Sequence, residues 1–210
     1  MHPGPDSNHA RRFKRTRERG FSLIELTVVL FVILMMLTVV TGGGGSRQRK
    51  ELAACESNLH SIFVALQTYA NANSNAFPVI ANARSSEAPL SLLIPQYTTG
   101  AGDFICPATK DPELPQAKPF ANRKISYAYY MGRRDSDGPD QPLMSDRQVD
   151  ENPKPAGALL FSSDGKKPGN NHGKNGGNIL FCDGGVKSSP AASAFTLTNS
   201  PGGVLLNPKP

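Results

Sequence analysis

The chain has 210 residues, a formal net charge of +6, 38% hydrophobic residues, no Trp, 20 Gly and 18 Pro. That length holds one small soluble domain plus an accessory segment, and the Gly and Pro content marks the soluble part as loop-rich. Arg11, Arg12, Lys14, Arg15, Arg17 and Arg19 against Asp6 and Glu18 place +4 of the +6 within residues 1–20, which excludes a basic nucleic-acid surface on the remainder.

Residues 1–20 therefore read as a basic leader, and Phe21 to Thr41 follows as a 21-residue, largely apolar run that contains one charge, Glu25. As a helix this run reaches roughly 30 Å, the thickness of a bilayer core, and predicts a transmembrane segment. The leader's positive charge outweighs Arg47, Arg49 and Lys50 on the far side, so the expected topology is a single pass through the inner membrane with residues 1–20 cytoplasmic and the rest periplasmic. No A-x-A-like cleavage site follows Val40, and the apolar run is too long for an ordinary signal peptide. A carboxylate within such a run costs about 2.5–3.5 kcal/mol at a helix centre and somewhat less near an end, so Glu25 calls for a function.

At "RGFSLIE" the chain resembles the type IV pilin and type II secretion pseudopilin superfamily with its prepilin-type signal. The resemblance implies that prepilin peptidase, a membrane enzyme, cuts Gly20–Phe21 and N-methylates Phe21. It also implies that Glu25 pairs with the new amine at Phe21, on its own or a neighbouring subunit, and sets register as subunits assemble. Each charge then offsets the cost of burying the other. The implied partners are prepilin peptidase, copies of the chain or other pilin-like subunits, the inner-membrane platform of a secretion or pilus machine, and the membrane itself. Nucleic acid is not among them.

"TGGGGS" follows, and residues 42–46 read as a Gly-rich hinge, since each helical Gly costs about 1 kcal/mol relative to Ala. Residues 47–76 read as an amphipathic helix with Leu52, Cys55, Leu59, Ile62, Phe63, Leu66 and Tyr69 on one stripe, ending before Pro78. Residues 77–189 read as a loop-rich β-sheet domain, with strands expected at Ile125–Gly132 and Ala158–Ser163 and a hairpin at Asn178–Ser188 turning near Asp183-Gly184. Residues 190–210 are a C-terminal tail, weakly structured or forming a sheet edge. The expected class is α+β, with the transmembrane helix and an amphipathic helix packed on a small antiparallel sheet in the pilin manner.

"ACESNLHSIFVALQTYANANSNAFP", "FICP", "ISYAYYMG" and "NNHGKNGGNILFCDGGVKS" add a second resemblance, to pilin-like proteins abundant in planctomycetes and verrucomicrobia and labelled as type II secretion proteins. That group carries a His-x(9)-Asp-Gly signature. Here ten residues separate His172 from Asp183, and Gly185 stands where the group often has His.

Other fragments are weaker. "GNNHGKNGG" lacks the spacing and the Ser or Thr of a phosphate loop. "DSDGPD" offers Asp135, Asp137 and Asp140 as candidate calcium ligands, but Gly138 is misplaced for an EF-hand and no Glu closes the loop. No cofactor is otherwise expected. Of Cys55, Cys106 and Cys182 only two can pair, and the alternatives are free buried thiols or a Cys55–Cys106 bridge stapling the "FICP" loop to the helix. Three functions follow. The first is a structural subunit assembled through residues 21–41 into a pseudopilus or type IV pilus-like filament. The second is an anchored binding module, for calcium or a surface ligand, that does not polymerise. The third is an anchored hydrolase built on Cys55 with His60 or His172; no activating context surrounds that thiol, so no enzyme is expected.

Overall fold

The computed structural model describes residues 22–41, 43–150, 154, 157–192 and 203–210, with the backbone alone described for 39–41 and 43–46. The leader, Gly20, Phe21, Gly42 and residues 193–202 of the expected tail lie outside the described residues. The chain divides into two units, Met1–Gly43 and Gly44–Pro210.

In the first unit, α1 runs over Leu23–Thr41, 19 residues. It opens with the N–H groups of Glu25 and Leu26 donating to the Ser22 carbonyl. The hydroxyls of Thr27 and Thr38 donate to the carbonyls of Ile24 and Met35, so neither is left unpaired on an apolar helix. Every described side chain is exposed, from Leu23 at 81% to Val29 at 45%. The described side chains stop at Thr38, and among the described residues no helix is long and apolar enough to cross a membrane. The expected 21–41 span thus extends past them at both ends.

α2 runs over Gly43–Ala72, 30 residues, all but the first of them in the second unit. Gly43 to Ser46, expected within the hinge, are helical; only Gly42 separates the two helices in sequence. The glycines fall in the first turn, where the N–H groups have no intrahelical partner to lose, and the long helix behind them supplies the stabilisation. The helix ends earlier than the expected residue 76. Ser74 and Asn75 take left-handed φ of 55° and 57°, and Asn75 N–H donates to the Ala70 carbonyl, which closes the last turn before Pro78.

Among the described residues five antiparallel strands form one sheet in the order β4-β3-β2-β1-β5: β1 Tyr127–Met131, β2 Pro142–Asp146, β3 Gly177–Phe181, β4 Val186–Ser189 and β5 Val204–Leu206. Tyr127 stands opposite Asp146, and Ser145 opposite Ile179. Successive side chains point to opposite faces. One face carries Tyr127, Tyr129, Met144, Leu180 and Cys182, which close a core with Cys55, Leu59, Ile62 and Leu66 of α2. The other carries Ile179 and Phe181, covered by Leu160 and Phe161. That second layer corrects one expectation. Residues 158–163 are not a strand and make a single bridge, Leu159 to Ala192. Both Leu160 N–H and Phe161 N–H donate to the Ala191 carbonyl, so the run plugs a face of the sheet instead of extending it. A short apolar run has no period that separates the two roles.

The hairpin lies at β3 and β4 as expected, and its turn needs glycine. Gly184 has φ +84° and a Cβ there would lie 2.5 Å from the Phe63 ring of α2. Strand β2 was not foreseen; it opens with Pro142, tolerated at a first strand position. The tail contributes β5 as an edge strand on β1.

Candidate functional site

Two places carry chemistry. The first is the start of α1. Glu25 sits in its first turn, exposed, and is the sole charged residue of Leu23–Thr41. A carboxylate there faces the partial positive charge of the free helix N–H groups. Gly20 and Phe21, the expected cleavage and methylation positions, lie outside the described residues.

The second lies in the folded unit and joins residues far apart in sequence. Cys55 stands on the buried stripe of α2. Cys106 follows a short 3-10 turn, Ala101–Phe104, and is brought to α2 by Asn58, whose side-chain amide donates to the Ile105 carbonyl at 3.0 Å and to Tyr127 Oη at 3.3 Å. The two sulfurs are bonded, with Cα atoms 5.4 Å apart. Beside them, His172 Nε2 lies 3.6 Å from Cys106 Sγ and 3.2 Å from Asp146 Oδ2.

Asp146 ends β2 and is fully buried. Its Oδ2 accepts the Asn178 N–H at 2.8 Å and its Oδ1 accepts the Asn171 side-chain amide at 2.9 Å. Asn171 also donates to the Ser126 carbonyl, so the turn that carries His172 is fastened to the end of β1. Gly177 allows the approach, because a Cβ there would lie 2.9 Å from both the Asp146 Cβ and the Phe161 ring. One ligand atom from each of Cys55, Cys106, Asp146 and His172 lies within 4.8 Å of all the others, and all four residues are buried. Among the described residues this is the only such grouping of His, Cys, Asp and Glu.

This grouping is not a nucleophile relay. Cys106 and Asp146 face the same ring nitrogen, whereas a relay needs the nucleophile on one nitrogen and the carboxylate on the other. His60 is exposed while Cys55 is buried and bonded, so the structure does not join them as a pair. The remaining thiol, Cys182, is free and buried, and burial pushes it up to about 12. It is not a ready thiolate.

The acidic loop is spoken for by separate donors. Asp135 Oδ1 accepts from Gln67 Nε2 at 2.6 Å, Asp137 Oδ2 accepts the Arg134 N–H at 3.1 Å, and Asp140 Oδ1 accepts from Gln141 Nε2 at 3.3 Å.

A cavity of about 350 Å³ adjoins the cluster of Cys55, Cys106, Asp146 and His172 at Asn171 and is lined among others by Lys110, Asp111, Lys124, Arg147 and Lys167. Burial opposes charge on Asp111, but the Ser126 hydroxyl and the Arg147 and Lys124 cations outweigh it and hold the carboxyl below its ordinary range.

Sequence reasoning offered Cys55–Cys106 as a possible bridge, which the structure contains, and singled out His172 separately. It missed Asp146, which sits in no motif and whose only signal was its place at the end of an unforeseen strand.

Residues 15–41 match the family described as the prokaryotic N-terminal methylation motif, a stretch that contains Gly20, Phe21, Glu25 and all of α1. No curated protein and no solved structure matches the chain.

Proposed function

We propose that the chain is a pilin-like structural subunit. Prepilin peptidase cuts Gly20–Phe21 and methylates Phe21; the helix that begins there anchors the subunit in the inner membrane and packs against other subunits in a pseudopilus or type IV pilus-like filament. The observation that carries this reading is α1 itself, apolar on every side and exposed at every described side chain, within the matched methylation motif. A helix of that kind is stable only where its whole circumference meets lipid or other apolar helices. Glu25 is then the charge that answers the new Phe21 amine and fixes the stagger between subunits. The folded unit stands outside the membrane, a placement supported by the Cys55–Cys106 bridge, since such bonds persist in oxidising compartments.

Mass spectrometry of the amino terminus, on protein isolated from its own cells, tests the processing step. Methylated Phe21 is the expected terminus, and an intact Met1 would overturn it. Glu25→Ala tests assembly: the variant should be cleaved and folded yet absent from sheared filaments.

A second reading, an anchored binding module that does not polymerise, draws on the cavity lined by Lys110, Lys124, Arg147 and Lys167, whose cations outnumber the single Asp111 and suit an anionic surface ligand. It predicts ligand binding that Lys110→Glu with Lys167→Glu abolishes while filaments never form.

A further inference from the structure

We propose that the Cys55–Cys106 pair, when reduced, holds one zinc-class divalent cation together with His172 Nε2 and Asp146 Oδ2, so that the same four residues form either a bridge or a closed metal centre. This inference is independent of whether the chain assembles.

The distances carry it. Zinc bonds of about 2.3 Å to sulfur, 2.0–2.1 Å to nitrogen and 2.0–2.2 Å to oxygen, arranged as a tetrahedron, set sulfur and nitrogen about 3.6 Å apart and nitrogen and oxygen about 3.3 Å apart. In the protein Cys106 Sγ and His172 Nε2 are 3.6 Å apart, and His172 Nε2 and Asp146 Oδ2 are 3.2 Å apart. Two edges of the tetrahedron are therefore in place, and all four ligand atoms fall within 4.8 Å. The two sulfurs must part, and the remaining edges start from separations of 4.8 Å or less.

The surroundings fit a cation as well. Asp146 is a fully buried carboxylate whose donors are two neutral amides and His172, charged only if protonated. A buried anion so placed favours a cation beside it. The Asn171 and Asn178 hydrogen bonds hold that carboxylate from behind, as the outer partners of metal ligands do. His172 Nδ1 is buried and has no hydrogen-bond partner, so it can take the ring proton when a cation displaces the one that Nε2 directs at Asp146. With two thiolates, one imidazole and one carboxylate the site is full, and it is structural, with no open position for substrate.

The step balances with a dithiol reductant. The dithiol gives two electrons and two protons to the bridge and leaves as its own disulfide; Cys55 and Cys106 become thiols, and the cation displaces both thiol protons as it binds.

The test uses the full chain in detergent, reduced by a dithiol without oxygen, desalted, and titrated with zinc or cobalt(II) while alkylation counts the free thiols. Expected are one zinc per reduced chain, none per oxidised chain, and a thiolate-to-cobalt charge-transfer band. His172→Gln and Asp146→Asn should each weaken zinc binding tenfold or more, whereas Cys182→Ser should leave it unchanged. Should reduction loosen the chain, zinc should restore its circular dichroism. The proposal is overturned if reduced, thiol-counted chain takes up no zinc, if the oxidised chain binds equally, if zinc fails to restore a loosened chain, or if His172→Gln binds as tightly as the wild type. Loss of binding in Cys182→Ser would overturn it too.

Discussion

α1 and α2 are both helices with many apolar residues, yet they use them in opposite ways. Along α2, Cys55, Leu59, Ile62 and Leu66 are buried at 0–1% and the opposite side faces solvent. Along α1 every described side chain is exposed, Leu30 at 51% and Met36 at 67% among them. The difference teaches that apolar content alone does not mark a core. A stripe finds its partner within the chain, in this case a sheet; a helix apolar all round must find it in lipid or in other helices.

The sharpest way to break that comparison is to cut one leucine from each helix. Leu59→Ala should lower unfolding stability by about 2–5 kcal/mol through lost burial and a residual cavity, whereas Leu30→Ala should leave the unfolding of the folded unit within about 0.5 kcal/mol. Denaturant unfolding of full chain in detergent measures both, and equal losses would mean that α1 contributes to that core.

Next in size is a charge in the exposed helix. Leu30→Arg should cost about 2.5–3.5 kcal/mol of membrane insertion and shift the chain out of the membrane fraction, with Cys55–Cys106 still formed. Unchanged membrane retention would remove the basis for reading α1 as an anchor.

Gly177→Ala sharpens the comparison on the folded side. The new Cβ has 2.9 Å to Asp146 and Phe161, so an overpacking loss of about 1–3 kcal/mol is expected, read as a lower melting temperature. A neutral result would show that the second core layer yields easily.

The smallest effect is pH-linked. Asp111 is held below its ordinary pKa in the fold, so its ionised form stabilises the protein above the ordinary carboxyl value, and that contribution is lost as pH falls through the lowered folded value. Stability curves of wild type and Asp111→Asn should therefore converge on acidification. A gap that stays constant down to about pH 2 would mean that Asp111's charge is not what matters.

The legible parts of this molecule are the local ones. The apolar run with Glu25, the stripe on α2, β1 and the β3–β4 hairpin each follow from periodicity or turn chemistry within a dozen or so neighbouring residues. Residues 158–163 and β2 were misread or missed because a short apolar run fits a strand and a plug equally well, and Pro142 hides a strand start. The same limit applies at the buried cluster. Cys55, Cys106, Asp146 and His172 are spread over more than a hundred residues, and no local pattern ties a strand-end aspartate to a loop histidine.

By itself the sequence determined that the chain carries a methylation motif, an apolar helix with one acid, and an α+β folded unit, because those features rest on spacing and composition along the chain. The tertiary structure decided what closes the second face of the sheet and which ligands converge behind β2. Such convergence depends on sheet register and on the close approach that Gly177 permits, and both are properties of packing between distant segments.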